Sequence, residues 1–231
     1  MAVHVIGPDA PLPPVDHADE SGLVAIGGNL GAPYLLKAYR KGLFPWNNEE
    51  FPPCWYSPNP RMVLNPRDFK LSHSMKSLLR KNTFTFQHNQ SFRQVLHACA
   101  STPRHGQTGT WLHQDLQNSL FQLHLQGHAH SVEVWANQKL VGGLYTIQIG
   151  KMFFGESMFS LMPNASKAAL FMLCASLPDD ALIDCQQETE HLRSLGAHPI
   201  DRSAFIQQLY HLRKQPYTFQ LKEQSADQFN A

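Results

Sequence analysis

The sequence predicts an α+β protein: a small irregular N-terminal domain, residues 1–62, followed by a larger mixed domain, residues 63–231. Three observations carry this. Eleven of the sixteen prolines lie in the first 66 residues, together with glycines 22, 27, 28, 31 and 42. Beyond them come three amphipathic helical segments, and then three consecutive strand-like segments separated by two-residue turns. Helices, a meander, a helix and a further strand are segregated rather than alternating, the pattern of an α+β fold.

Taken in order, the N-terminal region reads as turn-rich, with one short helix over residues 33–41 that Gly42 ends. The domain break falls within residues 60–66, where Pro58, Pro60 and Pro66 cluster. Residues 72–81 put Met75, Leu78 and Leu79 on one helical face, with His73, Lys76, Arg80 and Lys81 mostly on the other. Ser91 caps a helix holding Phe92, Val95 and Leu96. Another follows Trp111, carries Leu116, Leu120 and Leu123, and stops at Gly127. Residues 130–135, 140–149 and 152–156 read as strands, joined at Asn137-Gln138 and Gly150-Lys151. Asn164 caps a helix through Leu177, and residues 181–185 form a buried strand.

Composition narrows the function classes. With 42% hydrophobic residues the chain can build a substantial core, yet no run approaches the roughly 18 apolar residues of a membrane span. The opening residues lack the basic start and apolar run of a signal peptide. Four scattered cysteines without a CxxC pair read as thiols of a reducing compartment. The expected address is the cytoplasm, with no membrane partner. A net charge of +1 means that any nucleic-acid contact must come from a local basic patch.

Few residues stand out chemically. His124, His128 and His130 lie close together, but no glutamate completes an HExxH motif and Gly127 breaks the helix, so no metal is expected. Glu156 sits in an aromatic strand, where an unpaired carboxylate is costly to bury; it reads either as half of an ion pair or as a group awaiting a cation. Strand alternation puts Asp184 and Gln186 on one face and Cys185 on the other. Such an acid and amide are either a simple hydrogen-bonded pair or a device for orienting an amine. Trp46 and Trp111, both in loop-like contexts, are core plugs or stacking surfaces for a nucleobase.

Together these segments resemble one family, the bacterial leucyl/phenylalanyl-tRNA–protein transferases. The resemblance rests on Gly22-Leu-Val-Ala-Ile-Gly-Gly28, Ala38-Tyr-Arg-Lys-Gly-Leu-Phe-Pro-Trp46, Trp55-Tyr-Ser-Pro-Asn-Pro-Arg61 and Gly109-Thr-Trp111. It continues through Gly127-His-Ala-His-Ser-Val-Glu-Val-Trp135, Leu140-Val-Gly-Gly-Leu-Tyr145, Phe154-Gly-Glu-Ser-Met-Phe-Ser160 and Asn164-Ala-Ser-Lys167. Leu182-Ile-Asp-Cys-Gln186 and Ser194-Leu-Gly-Ala197 complete an ordered set. Asn29, Tyr56, His73, Leu161 and Leu173 depart from the family pattern.

The resemblance implies a C-terminal domain similar to the GNAT acetyltransferases. It also implies transfer of Leu or Phe, less readily Met, from aminoacyl-tRNA to the N-terminal Arg or Lys of acceptor proteins, marking them for N-degron degradation. It implies no metal or organic cofactor, and a monomer is expected. By motif, the catalytic residues fall on Asp184, Gln186 and Glu156, and the surfaces for the terminal adenosine on Trp46 and Trp111. The amino-acid pocket falls on Leu144, Met158, Leu173, Leu177 and Ile183, and the tRNA-binding helix on Lys70, His73, Lys76, Arg80 and Lys81.

Two rivals compete. A CoA-dependent N-acetyltransferase of the same fold wants a glycine-bearing pyrophosphate loop, and the segment 159–166 ahead of the helix holds no glycine. A non-catalytic RNA-binding module would leave Glu156, Asp184 and Gln186 without a task.

Overall fold

The computed structural model describes residues 3–46, 51–102 and 112–223. The N-terminal region is more ordered than its prolines suggested. Strands β1 (His4–Ile6), β2 (Leu23–Gly27), β3 (Phe44–Pro45) and β4 (Cys54–Tyr56) form a four-stranded sheet in the order β1-β2-β4-β3. None exceeds five residues, too short for alternation to show in sequence. Helix α1 (Ala32–Lys41) lies between β2 and β3 and ends, as its sequence predicts, on Gly42 in the left-handed region (φ 84°).

The remaining strands build one seven-stranded sheet. They are β5 (Arg61–Leu64), β6 (Thr85–His88), β7 (Ala129–Ala136), β8 (Lys139–Ile149), β9 (Met152–Ser160), β10 (Leu182–Gln186) and β11 (His198–Ile200), in the order β11-β5-β10-β9-β8-β7-β6. The predicted meander is β7-β8-β9, with Asn137 and Gln138 at positive φ in its first turn. Strand β9 runs four residues beyond its predicted end at Glu156. The predicted buried strand is β10, which pairs parallel to β9 and antiparallel to β5.

Helices cover both faces. On one side α5 (Ala165–Ser176) packs on β7, β8 and β9. On the other, α3 (Phe92–Ser101) and α4 (Gln114–Leu125) pack on β7 and β8. Beside them, Tyr39 of α1 packs on Phe154 of β9 (5.0 Å) and Phe205 of α7 (Arg202–Leu212) lies against Arg61 of β5. Two apolar clusters fill the two interfaces. Gly142 fixes how near α5 can come: a Cβ there would lie 2.4 Å from that of Ala165. The remaining helices are α2 (His73–Arg80) and α6 (Glu190–Ser194).

The side-chain N-caps differ from those the sequence predicts. Ser72 caps α2 by accepting from the Met75 N–H. Ser91 and Asn164 occupy the cap positions of α3 and α5, but neither side chain makes the cap bond. The backbone N–H of Ser91 instead donates to buried Glu133, 42 residues away (2.8 Å), and Asn164 takes a left-handed backbone (φ 69°).

Candidate active site

Two bulges open the sheet at one level. On β9, Gly155 pairs with Thr146 and Ser157 with Tyr145, leaving Glu156 as the extra residue. On β10, Asp184 pairs with Val63 and Gln186 with Met62, leaving Cys185 as the extra residue. The parallel β9–β10 ladder ends at Phe154 and Asp184. Beyond that point lies a pocket of about 450 Å³ lined by residues from both strands. This volume falls within the roughly 300–1,000 Å³ of small-ligand sites.

The second bulge corrects the alternation argument. Gln186 lies at φ 64°, so the strand does not continue its two-residue period there, and Asp184 and Gln186 do not share a face. Cys185 and Gln186 both line the pocket, whereas Asp184 is fully buried behind it. Asp184 faces Arg61: Nε donates to Oδ1 (2.7 Å) and Nη2 to Oδ2 (2.6 Å). The same Oδ1 accepts the backbone N–H of Gln186 at 2.9 Å. Asp184 therefore holds the Gln186 main chain, not its side chain.

Glu156 forms no ion pair among the described residues. Its Oε1 accepts the Gln186 side-chain amide at 2.8 Å. Burial pushes its pKa up to about 8, and Asp184 adds to the rise; the Tyr39 hydroxyl, Arg61 and Gln186 pull in the other direction. At neutral pH the group is mostly an uncharged acid. With its amino end committed to Glu156, the Gln186 amide takes no hydrogen bond on its oxygen from the described residues. That leaves an oriented carbonyl dipole at the pocket wall.

The apolar wall is formed by Leu144, Met158, Leu170, Leu173 and Ile183. Leu177 does not belong to it: just past the last turn of α5, it is buried in the core instead. Leu170 was not expected and lies one turn before Leu173 on α5. Burial raises the Cys185 thiol far above its usual range, so it lines the wall uncharged. Trp46 stands at the mouth, 39% exposed, with its ring edge on Tyr56 at 6.0 Å. Gln187, Thr189 and His191 complete the rim. Trp111 lies outside the described residues.

His73, Lys76, Arg80 and Lys81 line a shallow depression on and just after α2. Lys70 lies ahead of the helix, exposed, and is not among those residues. The three clustered histidines are engaged separately. His124 stacks on Phe92 (4.2 Å) and bonds the Ala129 carbonyl, His128 bonds the Gln148 carbonyl, and His130 accepts from Asn89. Among the described residues no three His, Cys, Asp or Glu side chains gather as a metal site.

Sequence reasoning passed over Arg61 and Tyr39. Arg61 opens the apolar run Met62-Val63-Leu64, and a charge in that setting calls for a buried counter-charge, which Asp184 supplies.

Residues 63–210 match the family model described as leucyl/phenylalanyl-tRNA protein transferase, and residues 28–59 match that of its N-terminal domain. The chain is similar to a leucyl/phenylalanyl-tRNA–protein transferase of Hydrogenovibrio crunogenus, 51% identical over 81% of this chain and 74% of that protein. It is also similar to one of Nitrosomonas eutropha, 48% identical over 90% of each. Among solved structures, a GCN5-related N-acetyltransferase from Kribbella flavida aligns over 72% of this chain and 59% of that chain, with 12% identity and a TM-score of 0.36.

Proposed function

The chain belongs to the leucyl/phenylalanyl-tRNA–protein transferase family, and from that premise we propose how its pocket carries out transfer of an aminoacyl group from tRNA to protein. The aminoacyl side chain, Leu or Phe and less readily Met, enters between Leu144, Met158, Leu173 and Ile183. The terminal adenosine stacks at the mouth on Trp46, with Trp111 as its second expected surface. The α2 depression meets phosphates of the tRNA body. The acceptor is a protein with N-terminal Arg or Lys, marked by the transfer for the N-degron pathway. The enzyme acts as a cytoplasmic monomer. Among the described residues no helix is long and apolar enough to cross a membrane.

The chemistry needs no covalent enzyme intermediate, because the donor ester is already activated. The neutral α-amine attacks the ester carbonyl carbon; a C–N bond forms, the bond to the ribose oxygen breaks, and that oxygen leaves with a proton as the amine loses one. An α-amine of pKa about 7.7–8.0 supplies a neutral fraction at neutral pH. Holding amine and ester together can provide on the order of 7–11 kcal/mol of the barrier at best. The Gln186 carbonyl accepts from the attacking amine and bears its developing positive charge.

One observation carries this reading: the Gln186 carbonyl is fixed at an apolar pocket wall by Glu156 on its amino end and Asp184 on its backbone. Glu156 thus acts first on Gln186, and contact with the acceptor's cationic side chain draws on its ionised form. Two domains are proposed, residues 1–62 and 63–231, which separates the two sheets except for the first two residues of β5, Arg61 and Met62. Their separate strand orders and the separate family matches support that division.

Incubation with leucyl- or phenylalanyl-tRNA and a peptide beginning with Arg, followed by mass spectrometry, tests the function. A mass gain of one Leu or Phe residue on the N-terminal amine is expected. No gain with Arg or Lys peptides, under conditions where donor binding is measurable, refutes it.

A further inference from the structure

Arg61, like its partner Asp184, is a fully buried charge beside the pocket. It opens β5 with no solvent exposure, its guanidinium lying between the rings of Phe44 (4.7 Å) and Phe205 (4.5 Å). Its Nη1 donates to the carbonyl of Gly42 at 3.3 Å, while Nε and Nη2 form a two-pronged contact with Asp184. Every face of this cation therefore meets a different piece of chain: the end of α1, β3, α7 and β10.

Two of those pieces reach the pocket. Phe44 lines it, and Trp46, two residues on, stands at its mouth. Asp184 continues through Oδ1 to the Gln186 N–H, at the point where the backbone turns left-handed. A glutamine does not hold φ 64° unaided; the surrounding contacts must over-determine it. Among the described residues, the carboxylate oxygen on that N–H is one whose position Arg61 fixes.

We infer that Arg61 is a positioning residue for the transfer reaction: its fork on Asp184 locks the left-handed backbone of Gln186 and references it to the wall that carries Trp46. It touches no substrate. It sets the distance between the carbonyl that meets the attacking amine and the surface that holds the donor's end. Lysine cannot replace it, because one ammonium cannot make two parallel bonds to Asp184 while lying flat between two rings. This inference rests on the reading that Gln186 contacts the amine.

A kinetic cycle between Arg61→Lys and Gln186→Gly tests it, with donor and acceptor both varied. Glycine at 186 tolerates the backbone angle and removes only the side chain. Arg61→Lys is expected to lower kcat by about 10- to 100-fold, the scale of a sub-ångström to 1 Å misplacement, with donor KM changed less than about three-fold. In the Gln186→Gly background the same substitution should lower kcat by no more than about two-fold. Multiplying losses would overturn the positioning role and leave the Gln186 reading standing. Unchanged kcat in a folded Gln186→Gly enzyme would overturn both.

If Arg61→Lys does not fold, Phe205→Leu decides. It removes one ring from the guanidinium and leaves the ion pair and pocket residues in place. A reduced kcat that disappears in the Gln186→Gly background supports the inference. A lowered Tm with wild-type kcat would make the clamp purely structural.

Discussion

Gln186 donates its side-chain amide to Glu156 across 2.8 Å, between two strands that have stopped pairing two residues earlier. The bond spans the opening made by one bulge on each strand, and it decides which end of the glutamine faces a ligand.

The first prediction follows from that bond. Gln186→Gly should stay folded and lower kcat for transfer, with tRNA affinity unchanged. Gln186→Glu should also lose activity, since a second carboxyl would face Glu156 across the opening. Steady-state kinetics with a peptide acceptor measure both. A folded Gln186→Gly enzyme with full kcat would leave proximity as the whole mechanism.

The second concerns stability against pH. Glu156 has a pKa of about 8 in the folded chain against 4.5 for an unperturbed glutamate. The native state therefore binds the extra proton between those values. Its contribution to stability is complete below about pH 4.5 and is lost as pH rises through about 8. Glu156→Gln abolishes this dependence, so Tm of the variant relative to wild type should rise between pH 6 and pH 9. A constant difference across that range would show that Glu156 does not titrate there.

The third separates pocket from core. Leu173 lines the pocket and Leu177 does not. Each truncation to Ala should cost about 2–5 kcal/mol of stability. Only Leu173→Ala should change the ranking of leucyl, phenylalanyl and methionyl donors in kcat/KM. In the wild type, isoleucyl and valyl donors should transfer poorly, because branching at Cβ widens the chain beside the ester. A shifted ranking with Leu177→Ala would place the wall elsewhere.

The fourth concerns the α2 depression. Lys76→Ala, Arg80→Ala and Lys81→Ala should each weaken tRNA binding and flatten its log–log salt dependence by about 0.7–0.9 per lost phosphate contact. Lys70→Ala should do less, because it lies outside the depression. Transfer from a short aminoacyl-adenosine donor should stay near wild type throughout. Equal losses with the short donor would make the helix structural.

The fifth concerns Trp46. It is 39% exposed, so Trp46→Ala should leave Tm nearly unchanged. Donor KM should rise about ten-fold, in keeping with roughly 1–3 kcal/mol for stacking a base on an aromatic ring. Early melting with unchanged donor KM would identify a core residue instead.

By itself the sequence determined the elements whose signals are local. The stripe of Met75, Leu78 and Leu79, the Asn137-Gln138 turn and the stop at Gly42 each act within a few residues, and each corresponds to what folds. The motifs also named Glu156 and Gln186, which the fold brings to 2.8 Å. What it could not determine depends on strand partners distant in the chain. A bulge exists only relative to a register, so the displacement of Asp184 from the Gln186 face was invisible until β10 lay against Met62 and Val63. The four-stranded N-terminal sheet escaped notice because three of its four strands hold only two or three residues, too few for a two-residue alternation to repeat. Leu177 came into the expected pocket by motif alone, and a motif carries over a position but not the neighbours that surround it in the fold. Arg61 gained a partner 123 residues away. Only the packed structure decided that pairing, because the cost of burying a charge is settled by whatever counter-charge the fold delivers.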